Sequence, residues 1–303
     1  MLHAPHHVEF GRMSQTPEFY WEDVHVDIPS DHNFTFGDTL GSGTTSTVYK
    51  AVHPFHGSVA VKVIKPIYAD FVKTELDILC RIQGGEHIIR VIDAWNVDDN
   101  WYIATELFEG TLLDRMEDGM SVDDIRDAAK QIAAALTFLH ARDIIHFDLK
   151  PENIGYVTHA DGSVIYKLMD FGTSDVLSTV QSSEYQEGIQ NHTIVKTSKW
   201  YRAYELFGFQ NETPSVITDK VDVWSFGCIL FEMLTNRPLF ENLEKSHDLS
   251  INKNTIINGW FDVTKCVYTA PSAQHAELAS LVLECVSHSS SKRPNSFTVF
   301  TQL

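Results

Sequence analysis

Four side chains in order, Asp148, Lys150, Asn153 and Asp170, are of the types and spacing that could move a phosphoryl group. Such a transfer asks for one carboxylate to orient the attacking hydroxyl and a cation beside the moving phosphate. It also asks for an amide and a second carboxylate to hold an oxygen-seeking Mg²⁺. The first three residues lie in the run I-I-H-F-D-L-K-P-E-N-I, residues 144–154, and the fourth opens Asp170-Phe171-Gly172. Any one of them alone is commonplace in a polar turn; the ordered set is not. A second cation, Lys62, sits in the apolar run V-A-V-K-V-I. A charge is costly there unless it is paired or holds an anion.

The elements that must position these groups can be read from periodicity. From Phe34 onward, short runs rich in β-branched and aromatic residues alternate with glycine, F-T-F-G-D-T-L-G-S-G-T-T-S-T-V-Y-K-A-V and then S-V-A-V-K-V-I. They predict successive strands with Gly41 and Gly43 at a turn. Residues 69–82 place Phe71, Glu75 or Leu76, Leu79 and Ile82 near helical spacing and run into Gly84-Gly85. A helix here would offer Lys62 a partner, Glu75 or its rival Asp77; Glu75 could instead pair locally with Lys73 or Arg81. Two strand-like runs follow, around the polar turn Asn96–Asn100. Ser121 is suited to cap a long helix with Asp123 and Asp124 in its first turn. On that helix Ile125, Ala128, Ile132, Leu136 and Leu139 recur at core spacing, and it delivers the chain to residues 144–154. Asp222 stands in a strongly apolar helical run, Val221–Leu234, where an unpaired carboxylate would be expensive.

Composition narrows the function classes. A chain of 303 residues with 43% hydrophobic content can bury a substantial core. The formal charge of −18 disfavours nucleic acid and anionic membrane as partners and permits a basic substrate. With no apolar run of about 18 residues and no basic start followed by an apolar core, neither a membrane span nor a signal peptide is expected, and the expected location is the cytosol or nucleus. Cys80, Cys228, Cys266 and Cys285 lack C-x-x-C spacing and read as reduced, mostly buried thiols. Residues 1–33, with His3, His6, His7, Pro5, Pro17 and Pro29, show no sustained period and read as a solvated extension without a metal-ligand cluster.

Taken together, H-F-D-L-K-P-E-N, D-F-G, G-S-G-T-T-S-T-V, V-A-V-K, W-Y-R-A-Y-E and S-K-R-P resemble the motif set of the eukaryotic protein kinase superfamily from Phe34 to the C-terminus. The resemblance implies an α+β, bilobal kinase fold. Residues 34–108 would form a small β-rich N-lobe with the hinge, and residues 109–303 a larger helical C-lobe. It implies ATP and Mg²⁺ as cofactors, protein Ser or Thr hydroxyls as substrate and a monomeric catalytic domain. Asp148 would be base and orienter, Lys150 would balance charge and mark the Ser/Thr type, and Asn153 and Asp170 would hold Mg²⁺. Lys62, paired with Glu75, would hold the α and β phosphates. Leu40, Gly41, Gly43, Ser46, Val48, Ala60, Thr105, Glu106, Phe108, Gly155 and Met169 would line the nucleotide site. Among these, Ser46 stands at the third glycine position, Thr105 guards the back pocket, and Glu106 and Phe108 lie in the hinge. Ser198 would bond Asp148 and Lys150, Glu205 would pair with Arg293, Asp222 would accept backbone bonds from the catalytic loop, and Leu79, Val91, His146 and Phe171 would form a spine.

Within the superfamily, residues 197–207 resemble the CMGC group, with Tyr204 in place of the usual Pro, although the group's insert is reduced to at most 52 residues, Glu241–Lys292. V-K-V-I-K-P, E-L-D-I-L and R-I-Q-G-G-E-H-I-I resemble the N-lobe of the casein kinase II catalytic subunit. That subunit's basic cluster is absent from P-I-Y-A-D-F, and its Trp is replaced by Phe171. A catalytically inert pseudokinase acting as a nucleotide-binding scaffold is the alternative, and a small-molecule kinase is a third reading that the long activation segment disfavours.

At and beside the catalytic-loop run, two positions depart from the family. Phe147 replaces the Arg that helps gather an activation-segment phosphate, so activity independent of phosphorylation is expected, although Ser182, Ser183, Tyr185 and Thr193 lie in that segment. Gly155 replaces an apolar side chain beneath adenine, which predicts weakened ATP binding or tolerance of bulkier adenine analogues. A Gly155→Leu variant is expected to bind ATP more tightly or to reject a bulky N6-substituted analogue, as read by calorimetric titration; identical nucleotide binding in the two proteins would remove the argument.

Overall fold

The computed structural model describes residues 7–8, 34–43, 45–97, 100–182, 198–207, 216–240, 263–266 and 268–303. His3, Pro5, His6, Pro17 and Pro29 of the extension, Ser183, Tyr185 and Thr193 of the activation segment, and residues 241–262 and 267 lie outside the described residues. The chain divides into two compact units, 1–108 and 109–303.

The first unit is a six-stranded antiparallel sheet with one helix. Its strands are β1 (His7–Val8), β2 (Thr35–Ser42), β3 (Ser46–His53), β4 (Gly57–Ile64), β5 (Val91–Val97) and β6 (Asn100–Glu106), in the order β1-β5-β6-β4-β3-β2. β1 belongs to the 1–33 extension, and it lies on the sheet, where His7 pairs with Trp95 and Val8 with Ala94. β1 covers the edge of β5, and a strand edge recruits extended segments within reach.

Strand alternation sends successive side chains to opposite faces. Val59 and Val61 of β4 therefore join Ala51, Trp95 and Ala104 in one buried cluster, with Phe34 stacked on Trp95 at 4.7 Å and Trp95 on Tyr102 at 5.1 Å. The same alternation turns Lys62 the other way. Helix α1 (Ala69–Ile82) buries Val72, Leu76, Leu79 and Ile82, a stripe at helical spacing that also carries Glu75. Gln83 ties the helix end to β5: its Oε1 accepts from Val91 N, and its Nε2 donates to the carbonyls of Leu79 and Ile89.

The second unit is mostly helical. Strand β7 (Gly110–Thr111) leads into α2 (Leu112–Glu117) and α3 (Val122–His140). Ser121 and Asp124 form a reciprocal capping box at the start of α3, satisfying two otherwise unpaired helix N–H groups. The helix buries Ile125, Ala128, Ile132, Leu136 and Leu139. Strands β8 (Ile144–Ile145), β9 (Ile154–Thr158), β10 (Val164–Leu168) and β11 (Asp175–Val176) frame the catalytic-loop residues, with β10-β9-β7 in one small sheet and β11-β8 in another. β10 is an edge strand, and Gln131 of α3 lies along it, donating to Val164 O and accepting from Tyr166 N.

The chain continues through α4 (Leu177–Val180), α5 (Lys220–Thr235), α6 (Ala273–Cys285) and α7 (Ser296–Gln302). Every residue of α5 from Val221 to Met233 is buried, as expected of a helix apolar on all sides. Cys80, Cys228 and Cys285 are free thiols, with Cys228 and Cys285 buried, and burial pushes the Cys80 thiol up to about 11. Among the described residues no helix is long and apolar enough to cross a membrane.

Gly227 of α5 marks the closest approach to α6, since a Cβ there would lie 2.7 Å from Cys285 Cβ and 2.9 Å from Val286 Cγ1. Two helices in such contact cannot admit a methyl without moving apart. Gly227→Ala is therefore expected to destabilise the protein by about 1–3 kcal/mol despite the better helix propensity of Ala, measured by denaturant unfolding. An unchanged or raised midpoint would show that the helices can shift freely.

Candidate active site

In the first unit, strand register lines up several of the residues expected at the nucleotide site. Gly41 faces Val48, Val48 faces Lys62, and Ala60 faces Thr105. Gly43 N–H donates to Ser46 O, which closes the loop between β2 and β3, and Ser46 is buried while Leu40 is half exposed. Lys62 Nζ donates to Glu75 Oε1 at 2.6 Å, and Glu75 is only 6% exposed. The choice between Glu75 and Asp77 follows from the helix face. Glu75 lies on the buried stripe of α1, whereas Asp77 lies off it and pairs with Arg81 one turn on, at 2.8 Å. Glu106 N–H is given to Arg90 O, and Arg90 N–H returns to Glu106 Oε1. Phe108 closes this unit.

In the second unit the catalytic-loop groups converge on Asp148. Its Oδ1 accepts from both the N–H and the hydroxyl of Ser198, at 2.9 and 2.8 Å. Its Oδ2 faces Lys150 Nζ at 2.8 Å and Asn153 Nδ2 at 3.2 Å. Lys150 also donates to Ser198 Oγ. Burial works against the Lys150 ammonium, but the bond and charge of Asp148, with Glu152 and Asp170 adding, more than offset it and hold its pKa above that of an ordinary lysine. Arg202 is drawn into the same field: burial lowers it to about 10, and Asp148 opposes the shift.

The residues expected to hold Mg²⁺, Asn153 and Asp170, are of types that offer oxygen to a cation. Asn153 gives its Nδ2 to the carbonyl and the carboxylate of Asp148, so what it presents to a cation is the oxygen Oδ1. Asp170 holds a left-handed backbone at φ 60°, which re-aims its carboxylate relative to its neighbours. Among the described residues no group of three or more His, Cys, Asp or Glu could hold a metal alone. Gly155 pairs with Thr111 and Lys167, and Met169 N–H donates to Asn153 O.

Behind these groups stands Asp222. It has no solvent exposure, and it accepts from the N–H groups of His146 and Phe147 at 2.9 Å each. Phe147 is 5% exposed and sits at φ 68°, a left-handed conformation uncommon for a bulky residue. The His146 and Phe171 rings approach to 5.0 Å, while Leu79 and Val91 are buried in the first unit.

Three features escaped the sequence. Tyr201 donates to Glu232 at 2.7 Å; burial is the largest cause raising both groups, and Glu232 raises Tyr201 further. Tyr204, the replacement for Pro, packs its ring 5.2 Å from that of His288. His140, the last residue of α3, reaches Asp222. All three pairs join residues far apart in the chain, where no local pattern could link them.

A carboxylate–lysine–amide loop and a buried Lys–Glu pair, carried on an α+β scaffold, define the kinase class of phosphotransferases. Residues 34–302 match the Protein kinase domain family, and the chain belongs to it. It is 32% identical over 244 residues to the mitogen-activated protein kinase KSS1 of Saccharomyces cerevisiae, covering 75% of this chain and 63% of that protein. It is 35% identical over 224 residues to cyclin-dependent kinase 4 of Mus musculus, covering 66% and 67%. It is also 29% identical over 228 residues to the serine/threonine-protein kinase PKH2 of Saccharomyces cerevisiae, covering 69% of this chain and 20% of that protein. The chain thus spans less than two thirds of the length of the two yeast relatives.

The segment around Ser198 is fastened by Arg293, whose guanidinium forks onto Glu205 at 2.7 and 2.8 Å with both side chains almost fully buried. Arg293 also donates to the carbonyls of Ser287 and Lys220. Removing one member strands the other charge in the interior. Glu205→Ala is expected to cost about 3–5 kcal/mol in unfolding free energy, a loss that a surface ion pair would not produce.

Proposed function

We propose that this chain is a serine/threonine protein kinase that transfers the γ-phosphate of ATP to protein hydroxyls and does not depend on phosphorylation of its activation segment. Residues 34–303 would be the catalytic domain, with 34–108 and 109–303 as its two lobes and 1–33 as an extension. The observation that carries the reading is the closed network on Asp148. Ser198, Lys150 and Asn153 already hold the carboxylate by bonds of 2.8–3.2 Å, the kind of preorganisation that phosphoryl transfer rewards. The burial of Phe147 supports the second part, because this position offers no cation to an activating phosphate.

In the proposed reaction Asp148 aligns the acceptor hydroxyl and takes its proton, alignment being the larger contribution in a loose phosphoryl transfer. Lys150 offsets charge building on the transferred group. Lys62, oriented by Glu75, holds the phosphate oxygens in place. Mg²⁺, bound through Asn153 Oδ1 and Asp170, would supply the charge that neutralises the phosphates. The likeness to a mitogen-activated and a cyclin-dependent kinase supports a CMGC-like branch, and the casein kinase II likeness of the N-lobe remains part of the proposal. A monomeric domain in cytoplasm or nucleus, acting on protein and not on nucleic acid or membrane, suits the charge of −18.

The test uses phosphatase-treated chain on an oriented peptide library with Mg²⁺ and ATP. Asp148→Asn is expected to lose on the order of 10²–10⁴-fold in turnover. Equal signal from both proteins would leave the nucleotide-binding scaffold as the reading. Activity abolished by the phosphatase would sink only the independence. Preference for Pro after the acceptor supports the CMGC branch, and preference for acidic residues supports the casein kinase II likeness.

A further inference from the structure

A buried chain of side chains runs from the C-terminal helix to the catalytic loop. Ser296, the first residue of α7, places Oγ 3.0 Å from His140 Nδ1. The opposite ring nitrogen, Nε2, lies 3.0 Å from Asp222 Oδ2. That oxygen also receives the His146 N–H, and its twin receives the Phe147 N–H. Ser296 is 4% exposed, the His140 side chain 6% and Asp222 not at all. The three residue types in series are those of a hydrolase triad, but burial keeps any substrate from the Ser296 hydroxyl, so the arrangement is a brace.

We infer that Ser296 is a positioning residue for phosphoryl transfer, acting through His140 and Asp222 on the backbone that carries Asp148. A neutral imidazole has one donor and one acceptor nitrogen. Asp222 already accepts two backbone N–H groups, and what it needs from the ring is a third donor, Nε2–H. Nδ1 is then the acceptor, and the Ser296 hydroxyl donates to it, which selects the tautomer that Asp222 requires. Asp219, 3.7 Å from Nδ1, offers only acceptor oxygens and favours the opposite tautomer; Ser296 decides between them.

The benefit lies at Phe147. Its left-handed backbone, φ 68°, persists only where its surroundings over-determine it. The Asp222 carboxylate supplies that constraint immediately before Asp148. If the ring turns or changes tautomer, the carboxylate loses a bond, Phe147 relaxes and the Asp148 carboxylate leaves its alignment. This inference rests on the kinase reading for its effect on turnover, but the brace can be observed without turnover.

The test compares Ser296→Ala, His140→Ala and His140→Gln in the full chain. The Gln amide can place an N–H where Nε2 stands. Three readouts apply: kcat separated from KM for ATP and peptide, ¹⁵N shifts of the ring nitrogens, and amide exchange at His146 and Phe147. Ser296→Ala is expected to convert the His140 ring from the Nε2–H form to a mixture and to raise exchange at the two amides by roughly 10-fold. It is expected to lower kcat by about 3–10-fold with KM within about twofold. His140→Ala should lose about 30-fold or more in kcat, and His140→Gln should recover to within about threefold of the parent. Unchanged ring shifts and unchanged exchange in Ser296→Ala would overturn the inference, as would His140→Gln behaving like His140→Ala in a folded protein. If the parent chain transferred no phosphate, the kinase reading would fall, while the brace would still stand or fall on tautomer and exchange. Should His140→Ala not fold, Ser296→Ala and His140→Gln decide alone.

Discussion

A carboxylate with no exposure to solvent constrains everything packed around it, because an unpaired charge in the interior costs several kcal/mol. Asp222 meets that demand with the N–H groups of His146 and Phe147, and in doing so it fixes the stretch leading to Asp148. Other bonds converge on the same stretch. Thr173 and Ser174 donate through their hydroxyls to His146 O, and the His146 ring bonds Met169 O. The segment 169–174 and the segment 146–148 are therefore tied to one another as well as to α5. Two left-handed residues, Phe147 and Asp170, are tolerated where this bonding is densest, in keeping with the rule that strained backbone survives only where it is over-determined. The burial of α5 on all sides follows from the same demand, since a helix that supplies a buried carboxylate to a loop must itself be covered.

Much of this was legible in the sequence, for identifiable reasons. Lys62 announced a partner because a lone ammonium in an apolar strand requires one. Helical periodicity limited the partner to Glu75 or Asp77, and the buried stripe of α1 settled which. The start of α3 was written in Ser121 and Asp124, a pair with a local mechanism. The bidentate Glu205–Arg293 contact and the backbone bonds of Asp222 were expected from the motif set and not from the residues themselves. No periodicity would have joined positions 88 residues apart.

What stayed hidden was tertiary or concerned backbone shape. The pairing of Tyr201 with Glu232 depends on how the segment after Ser198 lies on α5, which nothing in either local sequence encodes. Tyr204 read only as a missing Pro, whereas its ring has a partner in His288 and the position is filled by packing. The strand His7–Val8 was hidden because two residues are too short to show alternation; what recruits them is an edge formed by β5, nearly ninety residues later. Phe147 read as the loss of a cation, and its backbone conformation could not be guessed, since left-handed geometry is uncommon for a large aromatic residue.

Gln131 has a consequence beyond holding α3 to the hairpin. β10 is the outermost strand of its sheet, and a bare strand edge is a template on which a second molecule can add its own strand. The Gln131 amide takes the Val164 carbonyl with its NH₂ and the Tyr166 N–H with its oxygen, the two bonds that an invading strand would have used. One side chain thus imitates a peptide unit and closes the edge, protecting the solubility of a folded domain at a place far from any chemistry.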